Sequence, residues 1–556
     1  MSLTLVAGAV LGVFGAGYLG YGRILAKRFG LDDRTPTPAC RVNDGVDFVP
    51  AKASFLLGQH FSAIAAAGPI VGPILAGLAY GWLPTLAWIV LGAIFIGAVH
   101  DFSSLVGSVR HDGRSIAHVV EAYIGHRAYV LFLSFIWLSL IYVITAFADL
   151  TSSSFADPVS GGGVASSSVM YLALAVVMGV CLERFKMPLK TANLVFLPLL
   201  AVVIWAGQQM PLILPALGGI RPVLAWDAIV LVYCFVASVI PVGVLLQPRG
   251  YLGGAFLYVV LLAGLIGLAL GGVKVQYPAY VAPPWSGGWP IVPMLFVTVA
   301  CGACSGFHGL VCSGTTSKQI AKEGDCRPIG YGGMLLEGVV ALIALATVMM
   351  LAPGDAATKL SPDRIYAQGL ATFVQQVGIN YQFAMAFVLL AFATFIFDTL
   401  DVATRLGRYI LQELFGWEGR WGRFGATLAT LALPAWCVTM TMTDAAGHAV
   451  PAWRLFWMVF GTSNQLLAAL TLLGLTTWLR RSGRSWLFAA IPCLFMMTMT
   501  LWALAVLLGG WLSRVWQGGA VVDPIAVASL LLMGLGIGLL LEGVRALRGR
   551  VATAGS

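Results

Sequence analysis

Asp398 and Asp401 stand in the apolar run Phe397-Asp398-Thr399-Leu400-Asp401-Val402-Ala403-Thr404-Arg405, and Glu337 stands in another between Leu335 and Val339. A carboxylate in such surroundings is costly to keep charged, so each is a candidate to take up and release a proton. The i, i+4 spacing pairs Asp401 with Arg405. That leaves Asp398, and after it Glu337, to titrate, a snorkelling role being the alternative for Glu337. His60 and His308 change charge near neutral pH and suit the same chemistry; a hydrogen-bonded core histidine is the competing reading of each. His100 and Asp101 close an apolar run and are expected to cap its end.

A second group lies in Ala300-Cys301-Gly302-Ala303-Cys304-Ser305-Gly306-Phe307-His308, continuing to Cys312-Ser313-Gly314-Thr315-Thr316. Cys301, Cys304, His308 and Cys312 share a helical face, but on an intact helix the outer two are ~16 Å apart, too far for one tetrahedral ion. No metal is expected, and the cysteines read as small packing residues. Ser305, Ser313, Thr315 and Thr316 offer hydroxyls to an ion or solute, or to neighbouring helices. Ser305 and His308 are three residues apart, which is weak support for hydrolysis because a nucleophile and base are defined by geometry; no enzyme is expected.

The elements that position these groups span a membrane. Of 556 residues, 59% are hydrophobic and only 10% charged, too few charges to coat a soluble protein. About fifteen apolar segments are long enough to cross ~30 Å of hydrocarbon. The formal charge of +9 comes from basic residues in short loops and sets orientation rather than nucleic-acid binding. Lys and Arg are rich after the odd-numbered segments and absent from 151–163, which places the N-terminus outside and the C-terminus in the cytoplasm. The longest polar stretches, near 22–54 and 353–382, are too short for a soluble catalytic domain.

Two spans carry proline interruptions. The second, 55–80, contains Gln59, His60 and the pairs Gly68-Pro69 and Gly72-Pro73; the seventh, 227–247, contains Ser238-Val239-Ile240-Pro241-Val242-Gly243. Prolines remove backbone donors and break helices. Exposed backbone at membrane depth is tolerated only against protein or a water-filled cavity. Five spans separate the two, so they run in opposite directions, as in inverted-repeat carriers with a site at the repeat interface. A channel lacks support, since no repeated filter motif occurs; a nutrient sensor on a carrier-like fold is the other class.

From Cys40-Arg41-Val42-Asn43-Asp44-Gly45-Val46-Asp47 through GQHFSAIAAAGPIVGPILA, and on in GAVHDF, DGRS, SVIPVGVLLQPRGYL, SGFHGLVCSGTTSKQ, FDTLDVATRLGRY and FGTSNQLLA, the chain resembles the carbon starvation protein A family. The resemblance implies a multi-pass transporter of a bacterial inner membrane that takes up pyruvate by proton symport, or small peptides, during carbon limitation. It implies an all-α core of five plus five helices in inverted repeat, placed at 55–405, after a leading 1–54 and before accessory spans at 406–556. On it, Gly68, Pro69, Gly72, Ser238 and Pro241 line the substrate site, and Gln59, His60, Ser305 and His308 hydrogen-bond the substrate. Asp398 or Glu337, with Ser313, Thr315 and Thr316, couples the ion, H⁺ or alternatively Na⁺. Asn43, Asp44, Asp47, Asp101, Arg249, Asp401, Arg405, Asn464 and Gln465 take structural or gating roles. The expected partners are the small solute and membrane lipid.

Overall fold

The computed structural model describes residues 2–44, 48–65, 67–215, 221–240, 245–270, 272–282, 290–440, 442–443, 449–516, 518 and 523–548. Asp47 and Pro241 lie outside these described residues. The chain folds into helices in the order α1 (Leu3–Leu19), α2 (Tyr21–Phe29), α3 (Pro38–Val42), α4 (Ala53–Ile64), α5 (Gly68–Tyr80), α6 (Trp82–Gly92), α7 (Ala98–Val109), α8 (Ile116–Tyr123), α9 (His126–Phe155), α10 (Gly161–Glu183) and α11 (Leu189–Gln209). It continues with α12 (Pro222–Val239), α13 (Leu246–Leu270), α14 (Ile291–Val299), α15 (Gly306–Val311), α16 (Gly332–Met349), α17 (Pro362–Gln375), α18 (Tyr381–Phe415), α19 (Gly419–Thr439), α20 (Ala452–Arg481), α21 (Leu487–Trp516) and α22 (Pro524–Arg548). A two-residue antiparallel ladder, Met442–Thr443 with Ala449–Val450, joins α19 to α20.

Among the described residues, thirteen helical segments are long and apolar enough to cross a membrane, and the bent pair α4 and α5 makes a fourteenth. The difference from fifteen is α19: Arg420 and Arg423 in its first turns reduce its apolarity, although 21 residues reach ~31 Å. The centre of the bundle holds α16 and α20, buried along most of their lengths. Leu194, Ile491 and Leu494 on α11 and α21 are exposed, as expected where lipid is the solvent.

The first interruption falls three residues before the Gly-Pro pair. Helix α4 ends at Ile64, α5 restarts at Gly68 with Pro69 in its first turn, and the two axes differ by 51°. Proline suits a first turn, where its missing N–H costs nothing, so the break moves N-terminal to it.

Of the SVIPVG motif, Pro241, Val242 and Gly243 lie outside the described residues. Helix α12 ends at Val239, and Ile240, which precedes Pro241 in sequence, has an extended ψ of 158°, the conformation a following proline imposes. The helix that breaks opposite α4 and α5 is the span from Ile291 to Gln319: α14 stops at Val299, Ala300 takes φ 47°, Ser305 is extended, and α15 begins at Gly306. Among the described residues, six qualifying spans separate these two interrupted ones.

The broken spans touch through glycine. A Cβ on Gly72 would lie 2.3 Å from the Val299 carbonyl oxygen, and one on Gly68 2.5 Å from Cys301 Sγ. Gly72→Ala should therefore force α5 from α14 and cost about 1–3 kcal/mol. Gly12→Ala on α1, where a Cβ meets nothing within 4 Å, should leave stability unchanged; thermal unfolding of the two purified variants checks this, and equal melting temperatures would contradict it.

Candidate functional site

The break in the span Ile291–Gln319 exposes backbone groups that α20 satisfies. Asn464 Oδ1 accepts from the Phe307 amide at 3.0 Å, and Asn464 Nδ2 donates to Ser305 Oγ at 3.0 Å and Cys301 Sγ at 3.2 Å. Gln465 Nε2 donates to the Phe296 carbonyl at 2.8 Å, and the Trp457 indole to that of Thr298 at 3.2 Å. The Phe-Gly-Thr-Ser-Asn-Gln run of α20 thus replaces the helical hydrogen bonds lost between Val299 and Gly306. Gly461 and Gly306 allow the approach: a Cβ on Gly461 would sit 2.1 Å from the Val297 oxygen, and one on Gly306 2.4 Å from the Asn464 oxygen.

Beside this break lies a chain of titratable groups that are almost wholly buried. His100 Nδ1 is 2.7 Å from Asp101 Oδ1, His308 Nδ1 is 2.9 Å from Asp101 Oδ2, and His308 Nε2 is 3.1 Å from Glu337 Oε2. Helices α7, α15 and α16 each contribute. His308 faces a carboxylate on both sides: it is hydrogen-bonded to Asp101, and it meets Glu337 at ion-pair distance without a hydrogen bond among the described residues. His60 on α4 meets Thr316 Oγ1 at 2.9 Å through Nδ1, and its Nε2 has no partner among the described residues. Gln59, which is exposed, precedes it.

His100 and Asp101 are therefore not a helix cap. Span Trp82–Val109 runs on past them, after a π-helical turn at Ala93–Gly97, so both are at depth. Glu337 does not snorkel but is fully buried against His308. The Ser313 and Thr315 hydroxyls turn back onto their own helix, donating to the Gly309 and Val311 carbonyls at 2.7 and 3.1 Å. Ser305 joins the Asn464 brace, and Cys304 and Cys312 are buried.

Asp398 and Asp401 belong to a different cluster. Arg249, fully buried at the start of α13, meets Asp398 Oδ1 through Nη2 at 2.5 Å and Asp401 Oδ2 through Nη1 at 2.5 Å. Tyr233 Oη donates to Asp401 at 3.0 Å, and Tyr171 Oη to the Arg249 carbonyl at 2.8 Å. The i, i+4 pairing of Asp401 with Arg405 is replaced. Arg405 donates to the carbonyls of Ala237 and Ile240 at 2.6 and 3.1 Å, and Arg408 to that of Ser238 at 2.5 Å. The end of α12 leaves carbonyls without intrahelical partners, and the two guanidinium groups satisfy them. Ser238 Oγ itself meets Thr427 on α19 at 3.3 Å, so it is drawn to α18 and α19 rather than to the Gly68–Gly72 segment. Asp398 likewise is not the unpaired carboxylate its neighbours in sequence suggest.

The Asn43 and Asp44 segment lies against the end of the broken span near Lys318. Asn43 closes α3 with φ 37°, Asp44 Oδ1 accepts from the Phe48 amide at 2.9 Å, and Lys318 Nζ lies 5.5 Å from the Phe48 ring centre. Ala51 pairs with Ile320, and Thr37 Oγ1 donates to the Ile320 carbonyl at 2.6 Å.

Many apolar spans, two of them interrupted where they touch and bordered by buried titratable groups, are the architecture of a secondary transporter. Residues 1–364 and 355–503 match the family model described as carbon starvation protein CstA. The chain belongs to this family and is a multi-span protein of a bacterial inner membrane. It is 33% identical to "Peptide transporter CstA" of Helicobacter pylori, across 88% of this chain and 80% of that protein. It is 30% identical to the Escherichia coli protein of the same name, across 92% and 81%, and 29% identical to "Pyruvate/proton symporter BtsT" of Escherichia coli, across 90% and 80%. Among solved structures, a point mutant of the Eremococcus coleocola manganese transporter aligns at a TM-score of 0.46 and 12% identity, over 91% of this chain and 98% of that one. MhsT with L-phenylalanine aligns at 0.44 and 15%, over 89% and 98%.

Arg249→Met should remove the cation from between two buried carboxylates and cost about 3–5 kcal/mol. Asp398→Asn, which leaves Arg249 paired with Asp401, should cost less. Thermal unfolding of both variants measures the order, and the reverse order would contradict it.

Proposed function

We propose that this chain imports a small carboxylate nutrient by proton symport, with pyruvate as the principal substrate and short peptides as the alternative, under carbon limitation. The observation that carries the reading is His308 held between Asp101 and Glu337 beside the broken span. One proton added to or taken from this group of three changes which contact can be a hydrogen bond, and the three side chains ride on α7, α15 and α16. A change of protonation therefore changes how these helices hold one another.

The coupling residue is Glu337 with His308 and Asp101 rather than Asp398, because Arg249 already neutralises Asp398. Protons suit the site better than sodium, since the Ser313 and Thr315 hydroxyls are committed to carbonyls of their own helix. Pyruvate and a peptide C-terminus share a carboxylate, for which the unpartnered His60 Nε2 and the Gln59 amide next to it are the proposed donors. Gly68 and Gly72 serve that site by letting α5 close on α14. The names borne by the Helicobacter pylori and Escherichia coli relatives support both substrates, and the same company of transporters supports a carrier rather than an enzyme.

Purified protein in proteoliposomes should accumulate labelled pyruvate when the outside is more acidic than the inside. One-to-one coupling gives about tenfold accumulation per pH unit, since a pH unit is a tenfold difference in proton activity. An inward sodium gradient at equal pH should give none. Glu337→Gln should abolish the accumulation while keeping counterflow exchange of pyruvate; sodium-driven uptake, or gradient-driven accumulation in Glu337→Gln, would overturn the assignment.

A further inference from the structure

A second acidic site lies away from the His308 cluster, where α9 ends and α12 and α20 begin. The basic-residue alternation assigns this end to the outside. Asp149 and Ser153 from α9, Arg221 and Asp227 at the start of α12, Met440 after α19 and Val450 in the ladder line a cavity of about 170 Å³. The two carboxylates have different standing. Asp149 Oδ2 accepts from the Trp453 amide at 2.7 Å, capping the first turn of α20, where orphan donors and the helix dipole favour an anion. Its burial is thereby explained.

Asp227 is not explained in this way. It is 1% exposed, yet its Oδ1 has no partner among the described residues, and neither has the Ser153 Oγ. A buried carboxylate oxygen left unpaired is destabilising, so such a group is normally matched by a donor. Arg221 is exposed and forms no ion pair among the described residues. The remaining lining is apolar, and the cavity is far larger than a bare cation fills. A few polar groups in an apolar-walled cleft are the pattern of an organic-ligand site.

We propose that this cavity binds a solute carrying a primary ammonium group. The ammonium donates to Asp227 Oδ1 and Ser153 Oγ, the apolar body rests on Met440 and Val450, and Arg221 at the mouth faces the solute's carboxylate. The proposal rests on the carrier reading above and deepens it: an amine-bearing zwitterion such as a short peptide has a recognition site here, whereas pyruvate, lacking an amine, bypasses it.

The test uses the full chain in lipid nanodiscs, with binding followed by calorimetry. Alanyl-alanine should bind, and N-acetyl-alanyl-alanine, which has the same carboxylate and no ammonium, should bind at least about tenfold more weakly, the loss expected for one charge-assisted contact. Asp227→Asn should lose alanyl-alanine affinity by a similar factor, and Ser153→Ala by less. Where Asp227→Asn fails to fold, the affinity of Ser153→Ala for the two peptides decides the matter. Equal affinity for both peptides, unchanged affinity in a folded Asp227→Asn, or a response to sodium chloride alone would each overturn the ammonium site. Proton-driven pyruvate uptake persisting in unaltered protein that binds no alanyl-alanine would overturn this site and leave the carrier reading standing; loss of pyruvate uptake with alanyl-alanine binding intact would do the opposite.

Discussion

A helix interrupted within a membrane must find new partners for every peptide group it frees, because the surrounding hydrocarbon supplies none. In this chain that constraint falls on the segment from Ala300 to Ser305, which meets part of it through the Ala303 and Cys304 amides on the Ala300 carbonyl and part through α20. Asn464 accepts from the Phe307 amide and Gln465 donates to the Phe296 carbonyl, where a continuous helix would have bonded to itself, and Asn464 also donates to the Ser305 hydroxyl. The requirement explains why a polar Thr-Ser-Asn-Gln run sits in the middle of α20, one of the most deeply buried elements. It also explains the glycines at 306 and 461, since an amide side chain braces a backbone only when the two helices nearly touch.

Two buried clusters share a formula, a cation between two carboxylates, and differ in the cation. Arg249 stays charged at any pH the protein meets, so its grip on Asp398 and Asp401 is a fixed joint between α13 and α18. An imidazole, unlike a guanidinium, is a group that can exist with or without its charge, and His308 stands in the same arrangement between Asp101 and Glu337. A membrane interior penalises uncompensated charge, which is why each cation is flanked by carboxylates.

The sequence made the class of the protein legible, because length, apolarity and the alternation of basic loops act locally and survive any arrangement of the helices. The first broken span was legible for the same reason, since Pro69 acts on its own turn. Pairings across the bundle were not. Asp398 lies 149 positions from Arg249 and Asp401 only four from Arg405, and the nearer cation was claimed instead by the carbonyls ending α12. The second break carries no proline; its signal was the Ala-Cys-Gly-Ala-Cys-Ser-Gly run, whose small residues read equally well as packing. His100 and Asp101 stood eight or more residues inside their run, and that depth was the available sign that they were more than a cap.

Dependence of one break on a distant helix has a consequence for how the chain is made. Ser305 and Asn464 are 159 residues apart, and synthesis at about 5–20 residues per second separates their emergence from the ribosome by roughly 8–30 seconds. Throughout that interval the interrupted span has left the ribosome without its brace. The partners that α20 gives it are made only once α20 has followed, and hydrocarbon supplies none in the meantime. The centre of this bundle therefore matures late, and the direction of synthesis leaves its most polar joint to be closed last.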